Sequence, residues 1–397
     1  MLLEQAAVHF RSKALQNVDP EAQGLPKSPH TVFLWPTQLC SIGCAHCSFG
    51  ARKSGDEALR RLAHQPDKVV QWLTEAGAAR MVICGGGEPL DEPDFIPLAI
   101  EQAVKNGIRT EIYTAGISLA RPVDVRATIT NWRDALNGAS FHLRLSVDHF
   151  HSERVGHSHI AQWVRQTAEL VPHWKVSLRG IRVDGDKSIE QIAETLSAEI
   201  QQRRPHIGKL VLENGRTIAF ERKAFVLDNR GTLALLRRRG LSLPPEEMAQ
   251  IEDDIDPDNP TKPMGRPFSA PLTVGRRRMD LEIHANGVVN ILESQAPDLR
   301  RNLFEASWAK IRDAYFRDPI MHLVAKDGLP AVADLIMEGQ NRVDVDGTVV
   351  PYSIQHLSDP ALRGWVTAQA MRACRDTFTY TKTILAEADA LDRGMGT

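Results

Sequence analysis

Cysteines at positions 40, 44 and 47 follow the apolar run Thr31-Val-Phe-Leu-Trp35, with at most three residues between successive thiols. A fold for this chain has to bring that loop out just past a strand and let three sulfurs face one point. Thiolates are soft ligands that favour iron–sulfur clusters or zinc. Three of them can hold three irons of a [4Fe–4S] cube, and no fourth cysteine lies close enough in sequence to fill the last corner. Five cysteines in all, three of them clustered, indicate a metal site in a reducing cytoplasm rather than a disulfide framework.

Composition narrows the class. A chain of 397 residues can bury a large core and carry an appendage beside it. A formal charge of −2 argues against a general nucleic-acid or membrane-surface binder. The sequence has no apolar stretch long enough to span a bilayer, and Met-Leu-Leu-Glu-Gln at the start lacks the features of a signal peptide. Neither nucleic acid nor membrane is expected as a partner.

Between residues 31 and about 215, strand-like and helix-like segments alternate, the pattern of βα units around a parallel sheet. Strands are expected at 31–35, 79–84, from Arg109, at 141–147, at 174–183 and at 209–213. In the fourth, Phe141, Leu143, Leu145 and Val147 alternate with His142, Arg144 and Ser146. Helices are expected over 67–77, closed by Gly77, and over 94–106, closed by Gly107, with another from Ser158. Ser188-Ile-Glu-Gln191 has the form of a capping box, with Ile189, Ile192, Leu196 and Ile200 at helical spacing behind it. Periodicity alone does not distinguish a barrel from a flat doubly wound sheet.

The stretch 226–270, with Arg237–Arg239, an acidic run and several prolines, is expected to be a connecting segment. Beyond it, Asn286-Gly287 between alternating apolar runs signals a hairpin. A helix containing Trp308, Ile311 and Tyr315 follows.

Four segments in order, over residues 31–155, resemble the motifs of the radical S-adenosylmethionine (SAM) superfamily. They are Cys40-x3-Cys44-x2-Cys47, Met81-Val-Ile-Cys-Gly85-Gly86-Gly87-Glu88-Pro89, Arg109-Thr-Glu-Ile-Tyr113-Thr114-Ala115-Gly116 and Leu145-Ser146-Val147-Asp148-His149-Phe150-His151. The resemblance implies an α/β fold, a partial (β/α)6 barrel over 31–225, after an N-terminal extension at 1–30. It implies a [4Fe–4S] cluster on Cys40, Cys44 and Cys47 whose open iron chelates SAM, at potentials that reach down to about −700 mV. Gly85, Gly86 and Gly87 would let backbone approach the methionyl group, Glu88 would bond its ammonium, and Pro89 would fix the turn. Ser146 and Asp148 would meet ribose, Arg154 the carboxylate and His46 the adenine, with Thr114 in the third-strand turn. That turn departs from the frequent Thr-Asn-Gly, since Ala115 has no amide to offer. The hairpin and helix over 271–397 resemble a SPASM or twitch extension, yet no cysteine lies between residues 85 and 373 to hold its auxiliary cluster.

Other readings stand beside these. The three cysteines and a histidine could hold structural zinc, although zinc sites favour cysteines paired two apart. Cys84 ends an apolar strand, as a small core residue would. Cys374 is either inert or a hydrogen-atom donor to a substrate radical. Among the five histidines from His142 to His159, a second metal site competes with surface and hydrogen-bonding roles, and His149 and His151 stand where SAM or substrate belongs. Arg237–Arg239 and Arg276–Arg278 are either solvated faces or contacts for an anionic substrate. Glu213 and Asn214 are either substrate contacts or a turn.

Without a second cluster, a redox-neutral reaction is expected: epimerisation, elimination or rearrangement of a small polar metabolite or natural-product intermediate. Glu213, His151 and Cys374 are its candidate catalytic residues, and flavodoxin or ferredoxin is the expected reductant. A peptide-modifying maturase is the alternative, and a non-catalytic Fe–S or zinc binding module is the alternative of another class.

Overall fold

The structure, a computed structural model, describes residues 3–14, 26–47, 51–204, 206–223, 238–242, 274–275, 278–290, 301–327, 329–340, 357, 359–378 and 380–393. Most of the connecting segment, including Arg237, therefore lies outside the described residues, as do Arg276, Arg277 and Glu293.

Helix α1 (Leu3–Ala14) precedes β1 (Thr31–Leu34), α2 (Pro66–Glu75), β2 (Arg80–Ile83), α3 (Phe95–Lys105), β3 (Arg109–Thr114), α4 (Val125–Leu136) and β4 (Phe141–Ser146). Then come α5 (His149–Ser152), α6 (His157–Leu170), β5 (Lys175–Ile181), α7 (Ser188–Leu196), β6 (Glu199–Arg204), β7 (Ile207–Val211) and β8 (Thr217–Lys223). The C-terminal part adds β9 (Val274–Gly275), β10 (Arg278–Ile283), β11 (Val288–Asn290), β12 (Arg301–Asn302), α8 (Trp308–Phe316), α9 (Pro319–Asp327), α10 (Leu329–Gln340), α11 (Pro360–Cys374) and α12 (Lys382–Arg393).

The sheet runs β12-β11-β10-β1-β2-β3-β4-β5-β8-β7-β6. Strands β10, β1 to β5 and β8 are mutually parallel, the arrangement of a partial barrel. Strict alternation gives the sheet two unlike faces. Val32, Leu34, Met81, Ile83, Ile112, Leu143, Leu145 and Leu178 are buried in the main core under the helices. Phe33, Trp35, Val82, Cys84 and Tyr113 form a separate small cluster on the other face. That inner face continues as polar residues: Glu111, His142, Arg144, Ser177 and Arg179 alternate with the outward apolar set.

Three expectations need correction. The segment 209–213 is not the sixth parallel strand, because β7 runs antiparallel to both its neighbours, β6 and β8. The sixth parallel strand is β8, reached only after that hairpin. Ile200 is not helical: α7 stops at Leu196, Ser197 turns left-handed at φ 52°, and Ile200 pairs with Leu210 in the hairpin. Ser188 is not the cap of α7; it lies within the first turn and donates through N and Oγ to Asp186 at 2.9 and 2.5 Å.

The expected hairpin at Asn286-Gly287 forms, and its first strand, β10, lies parallel to β1 in the barrel sheet. Helix α1 crosses α11 so closely that a Cβ on Gly364 would overlap Leu3 O, and Asp318 receives Arg11 at 3.3 Å and Arg363 at 2.6 Å. No described helix is long and apolar enough to cross a membrane.

The same helical region buries His322 between Tyr380 Oη at 2.9 Å and Phe316 O at 2.6 Å, stacked 4.0 Å from Phe378. The Phe316 carbonyl can only accept, so Nε2–H donates to it and Nδ1 accepts from Tyr380. Burial lowers the His322 pKa to about 4, against the upward pull of Phe316 O and Asp318. The unfolded chain therefore binds the extra proton between pH 6.5 and 4, and stability falls as pH drops through that window. The slope is at most about 1.4 kcal/mol per pH unit. Urea unfolding across that range should show this slope in the parent, and His322→Gln should flatten it; equal slopes would contradict the assignment.

Candidate functional site

All the motif loops emerge at the carboxyl ends of β1 to β5, where α/β barrels place their chemistry. The cysteine loop folds back so that Cys40 N donates to Arg52 O at 2.8 Å, and Arg52 N to Gln38 O at 3.0 Å. The Cys40 sulfur accepts hydrogen bonds from the backbone N–H groups of Ile42 and Gly43. Burial nevertheless dominates and pushes the Cys40 thiol up to about 11. Cys44 is half-buried and Cys47 exposed, and Cys84 and Cys374 are buried elsewhere.

The glycine loop is shaped by contact with the cysteine loop. A Cβ on Gly87 would overlap Leu39 O, and one on Gly86, at φ 100°, would lie 2.8 Å from the Trp35 ring. Gly87 N donates to Thr37 O at 2.8 Å and Glu88 N to Leu39 O at 3.1 Å. Gly86 and Gly87 are thus required by the close approach of Trp35 and Leu39.

Three buried carboxylates tie the loops together in neighbouring pairs. Glu88, 4 % exposed, accepts from Leu90 N at 3.0 Å, from Ala115 N at 3.0 Å and from Thr114 Oγ1. Thr114 in turn accepts from Gly116 N at 2.9 Å. Burial, the largest effect on Glu88, raises its pKa to about 7 in spite of these three donors. Glu88 and Thr114 thus brace the β2 loop to the β3 turn. Pro89 opens a short 3₁₀ turn with Glu88 as its cap.

Asp91 is the second brace. It accepts from Ser41 N at 2.7 Å, Ser41 Oγ at 2.8 Å and Ser118 Oγ, fixing the residue after Cys40 to the segment beyond β3. Sequence reasoning misses Asp91, Ser41 and Ser118; the available signal is a carboxylate two residues after the glycine motif's Pro89. Beside it, Arg60 forms a bidentate pair with buried Glu92 at 2.5 and 2.8 Å.

Asp148, 1 % exposed, is the third. It caps α5 through His151 N at 3.0 Å, accepts from His151 Nδ1 at 2.9 Å and reaches Ile181 N at 3.2 Å at the end of β5. The close approach of β4 and β5 there requires Gly180, whose Cβ would overlap Val147 O. Asp148 thus ties α5 to the end of β5. Burial opposes ionisation of both partners, but the Asp148–His151 pairing overrides it, lowering the aspartate and raising the histidine. His151 also hydrogen-bonds Cys44, which places it against the cysteine loop.

His46 stacks on Phe150 at 4.6 Å and meets His151 edge-on at 4.9 Å, and burial pulls its pKa down to about 4. His46, Asp148 and His151 are the one described trio whose ligand atoms converge within 4.8 Å. Both Asp148 oxygens are already bonded to His151 Nδ1, so hydrogen bonding accounts for that cluster.

Ser146 is half-buried at the end of β4 and Arg154 is exposed just beyond α5. The other histidines have local partners: His142 with Glu111 and Ser177, His149 with Glu153, His157 with Ser152, His159 with Gly116 O. Arg239 pairs with Glu153 at 2.7 Å.

Two catalytic candidates fall away from this site. Glu213 is exposed in the β7–β8 turn. Because β7 is antiparallel, that turn lies beside the start of β8, at the opposite end of the sheet from the cysteine loop. Cys374 is fully buried at the end of α11, and burial pushes its thiol up to about 12. Neither a hydrogen-atom donor nor a substrate contact is expected of a sulfur so enclosed.

Replacing Asp91 by alanine leaves Ser41 N without its acceptor, at a cost of about 1–3 kcal/mol. After anaerobic reconstitution, Asp91→Ala should bind several-fold less iron than the parent while its circular dichroism is unchanged. Full iron loading would show that the brace does not set the loop.

Residues 36–194 match the family described as the Radical SAM superfamily. No curated protein matches the chain. Among solved structures, it is similar to Streptococcus suis SuiB bound to precursor peptide SuiA, with 14 % identity and a TM-score of 0.46, covering 74 % of this chain and 66 % of that one. The chain thus spans just under two thirds of that SuiB chain's length. SuiB bound to S-adenosylmethionine is similar at 13 % identity and TM-score 0.44, over 74 % of this chain and 67 % of that one. Hexahistidine-tagged anSMEcpe with bound AdoMet is similar at 11 % identity and TM-score 0.44, over 88 % and 99 % respectively. The match is confined to residues 36–194, a segment similar to the domain of the radical SAM superfamily, whose enzymes use a [4Fe–4S] cluster and S-adenosylmethionine.

Proposed function

We propose that Cys40, Cys44 and Cys47 hold the cluster with one iron open, and that the enzyme abstracts hydrogen from a small polar metabolite or natural-product intermediate with a redox-neutral outcome. Epimerisation, elimination and rearrangement are the outcomes this chemistry admits. The observation that carries the reading is the braced cysteine loop: Asp91 fixes Ser41, Arg52 O holds Cys40 N, and three free cysteines lie within that short segment. When bound, the cluster and SAM supply a 5′-deoxyadenosyl radical.

The chain's own residues define where that radical would act. His46 and Phe150 offer stacked rings beside the cysteine loop, suited to an adenine face. Ser146 and exposed Arg154 remain candidates for ribose and carboxylate, while Gly85 to Pro89 form the wall between them and β3. The polar inner face of the sheet begins directly below, which suits a small polar substrate. His151, held by Asp148 next to Cys44, is the remaining candidate for a catalytic role. No cysteine between residues 85 and 373 offers a second cluster, and this supports the redox-neutral outcome. Residues 271–397 are read as a twitch-like extension without metal, and flavodoxin or ferredoxin as the reductant.

Anaerobic reconstitution tests the proposal. About four irons per chain are expected, with 5′-deoxyadenosine released when SAM and dithionite are added and lost in Cys44→Ala. Tightly held zinc with no SAM cleavage would overturn the reading. A product recovered in stoichiometrically oxidised form would overturn the redox-neutral part alone.

A further inference from the structure

The inner face of the sheet carries more charge than a barrel interior needs for packing. Register places Glu111 beside His142, Tyr113 beside Arg144, Arg144 beside Ser177, and Ser146 beside Arg179, which neighbours Glu221. All of these side chains share one face and are reached from the carboxyl end of the strands. On the far side, Glu282 of β10 stands beside Phe33.

The carboxylates on this face have cations of their own. Glu111 receives Arg80 at 3.1 Å, Tyr113 Oη at 2.9 Å and His142 Nδ1 at 3.2 Å. Glu221 stands 3.4 Å from Arg179, and Glu282 3.6 Å from His284. Arg144 is left over. Its guanidinium carbon lies 3.1 Å from the centroid of the Tyr113 ring, and no acceptor or carboxylate among the described residues pairs with it. Burial lowers its pKa to about 10, with Tyr113, Cys84 and Glu111 pulling up and the like charge of Arg179 pulling down. It remains protonated at neutral pH.

A half-buried guanidinium with no anionic partner among the described residues is costly, and the ring contact compensates only in part. The ring occupies one face of the planar group and leaves its N–H edge free, the edge that matches an oxyanion in a bidentate fork. Arg144 stands two residues before Ser146 on β4, so it is one layer below the mouth where SAM is proposed to bind.

We infer that Arg144, with Arg179 on the adjacent strand, anchors an oxyanion of the substrate, so that the small polar substrate is an acid carrying a carboxylate or phosphate. This rests on the proposal that substrate occupies the inner face of the barrel. The anion docks on Arg144, Tyr113 holds the guanidinium flat, and the rest of the substrate extends upward past Ser146.

The test uses anaerobically reconstituted full-length protein with SAM. Inorganic phosphate is titrated by its 31P line width and acetate by its 13C line width. One of the two is expected to broaden saturably. Arg144→Gln should weaken that binding at least tenfold, Arg144→Lys, which keeps the charge but loses the planar fork, should weaken it to a lesser extent, and the control Arg126→Gln, on the exposed face of α4, should leave it unchanged. Saturation by phosphate alone marks a phosphorylated substrate, and by acetate alone a carboxylic acid. The inference is overturned if neither anion saturates on the parent, or if Arg144→Gln binds as the parent does. Should Arg144→Gln fail to fold, Arg179→Gln is read in its place, with several-fold weakening expected and unchanged binding overturning the inference. Substrate-free release of 5′-deoxyadenosine is measured on the same samples. Its retention in Arg144→Gln alongside lost anion binding is the expected result, whereas its absence in the parent defeats the functional proposal itself.

Discussion

Three buried carboxylates, Glu88, Asp91 and Asp148, hold the mouth of this barrel in shape. Each accepts from backbone N–H groups or hydroxyls on two different loops, so each fixes one loop against the next around the strand ends. A carboxylate offers about four lone-pair sites, which is enough to clamp two short segments without a further side chain. The cost is desolvation, visible in the raised pKa of Glu88. That cost is offset where the donors converge, because hydrogen bonds to a charged group are roughly twice as strong as neutral ones. The cysteine loop gains its position from this arrangement: Ser41 is tied through Asp91, Leu39 lies under Gly87, and Cys44 meets His151.

The sheet beneath separates two kinds of chemistry. Outward residues of β1 to β5 are aliphatic and join one core with the helices, which supplies the hydrophobic stabilisation. Inward residues from β3 to β8 are ionic, arranged as neighbouring pairs with Arg144 set apart on the Tyr113 ring. A parallel strand buried on both faces is usually apolar throughout. Alternation of the kind seen in β4 instead leaves the inner face polar.

Much of this was legible in the residues. Strands β1 to β5 and helices α2, α3 and α6 lie within a few residues of where periodicity put them, α2 and α3 because an apolar stripe is closed by a glycine stop at Gly77 or Gly107, whereas α4 was not anticipated. The hairpin at Asn286-Gly287 was equally plain. The sequence misled where two periods overlap. Ile200 continues the helical spacing of Ile189, Ile192 and Leu196, yet Ser197 takes a left-handed turn that spacing cannot reveal. The strand at 207–211 looks the same whether it runs parallel or antiparallel, so Glu213 was placed at the wrong end of the sheet. In the site, motif spacing located Glu88, Thr114 and Asp148 but not their partners. Whether a carboxylate faces a ligand or its own backbone depends on loops distant in sequence, such as Ala115 for Glu88 and Ile181 for Asp148.

The central claim is that the braced cysteine loop presents a cluster with one iron left for SAM. Electron paramagnetic resonance of the reduced, anaerobically reconstituted protein, recorded before and after SAM carrying a 17O-labelled carboxylate is added, tests it most directly. The account predicts a changed cluster signal with hyperfine coupling to the labelled oxygen. A signal indifferent to SAM, from a cube ligated on every corner by the protein, would contradict it.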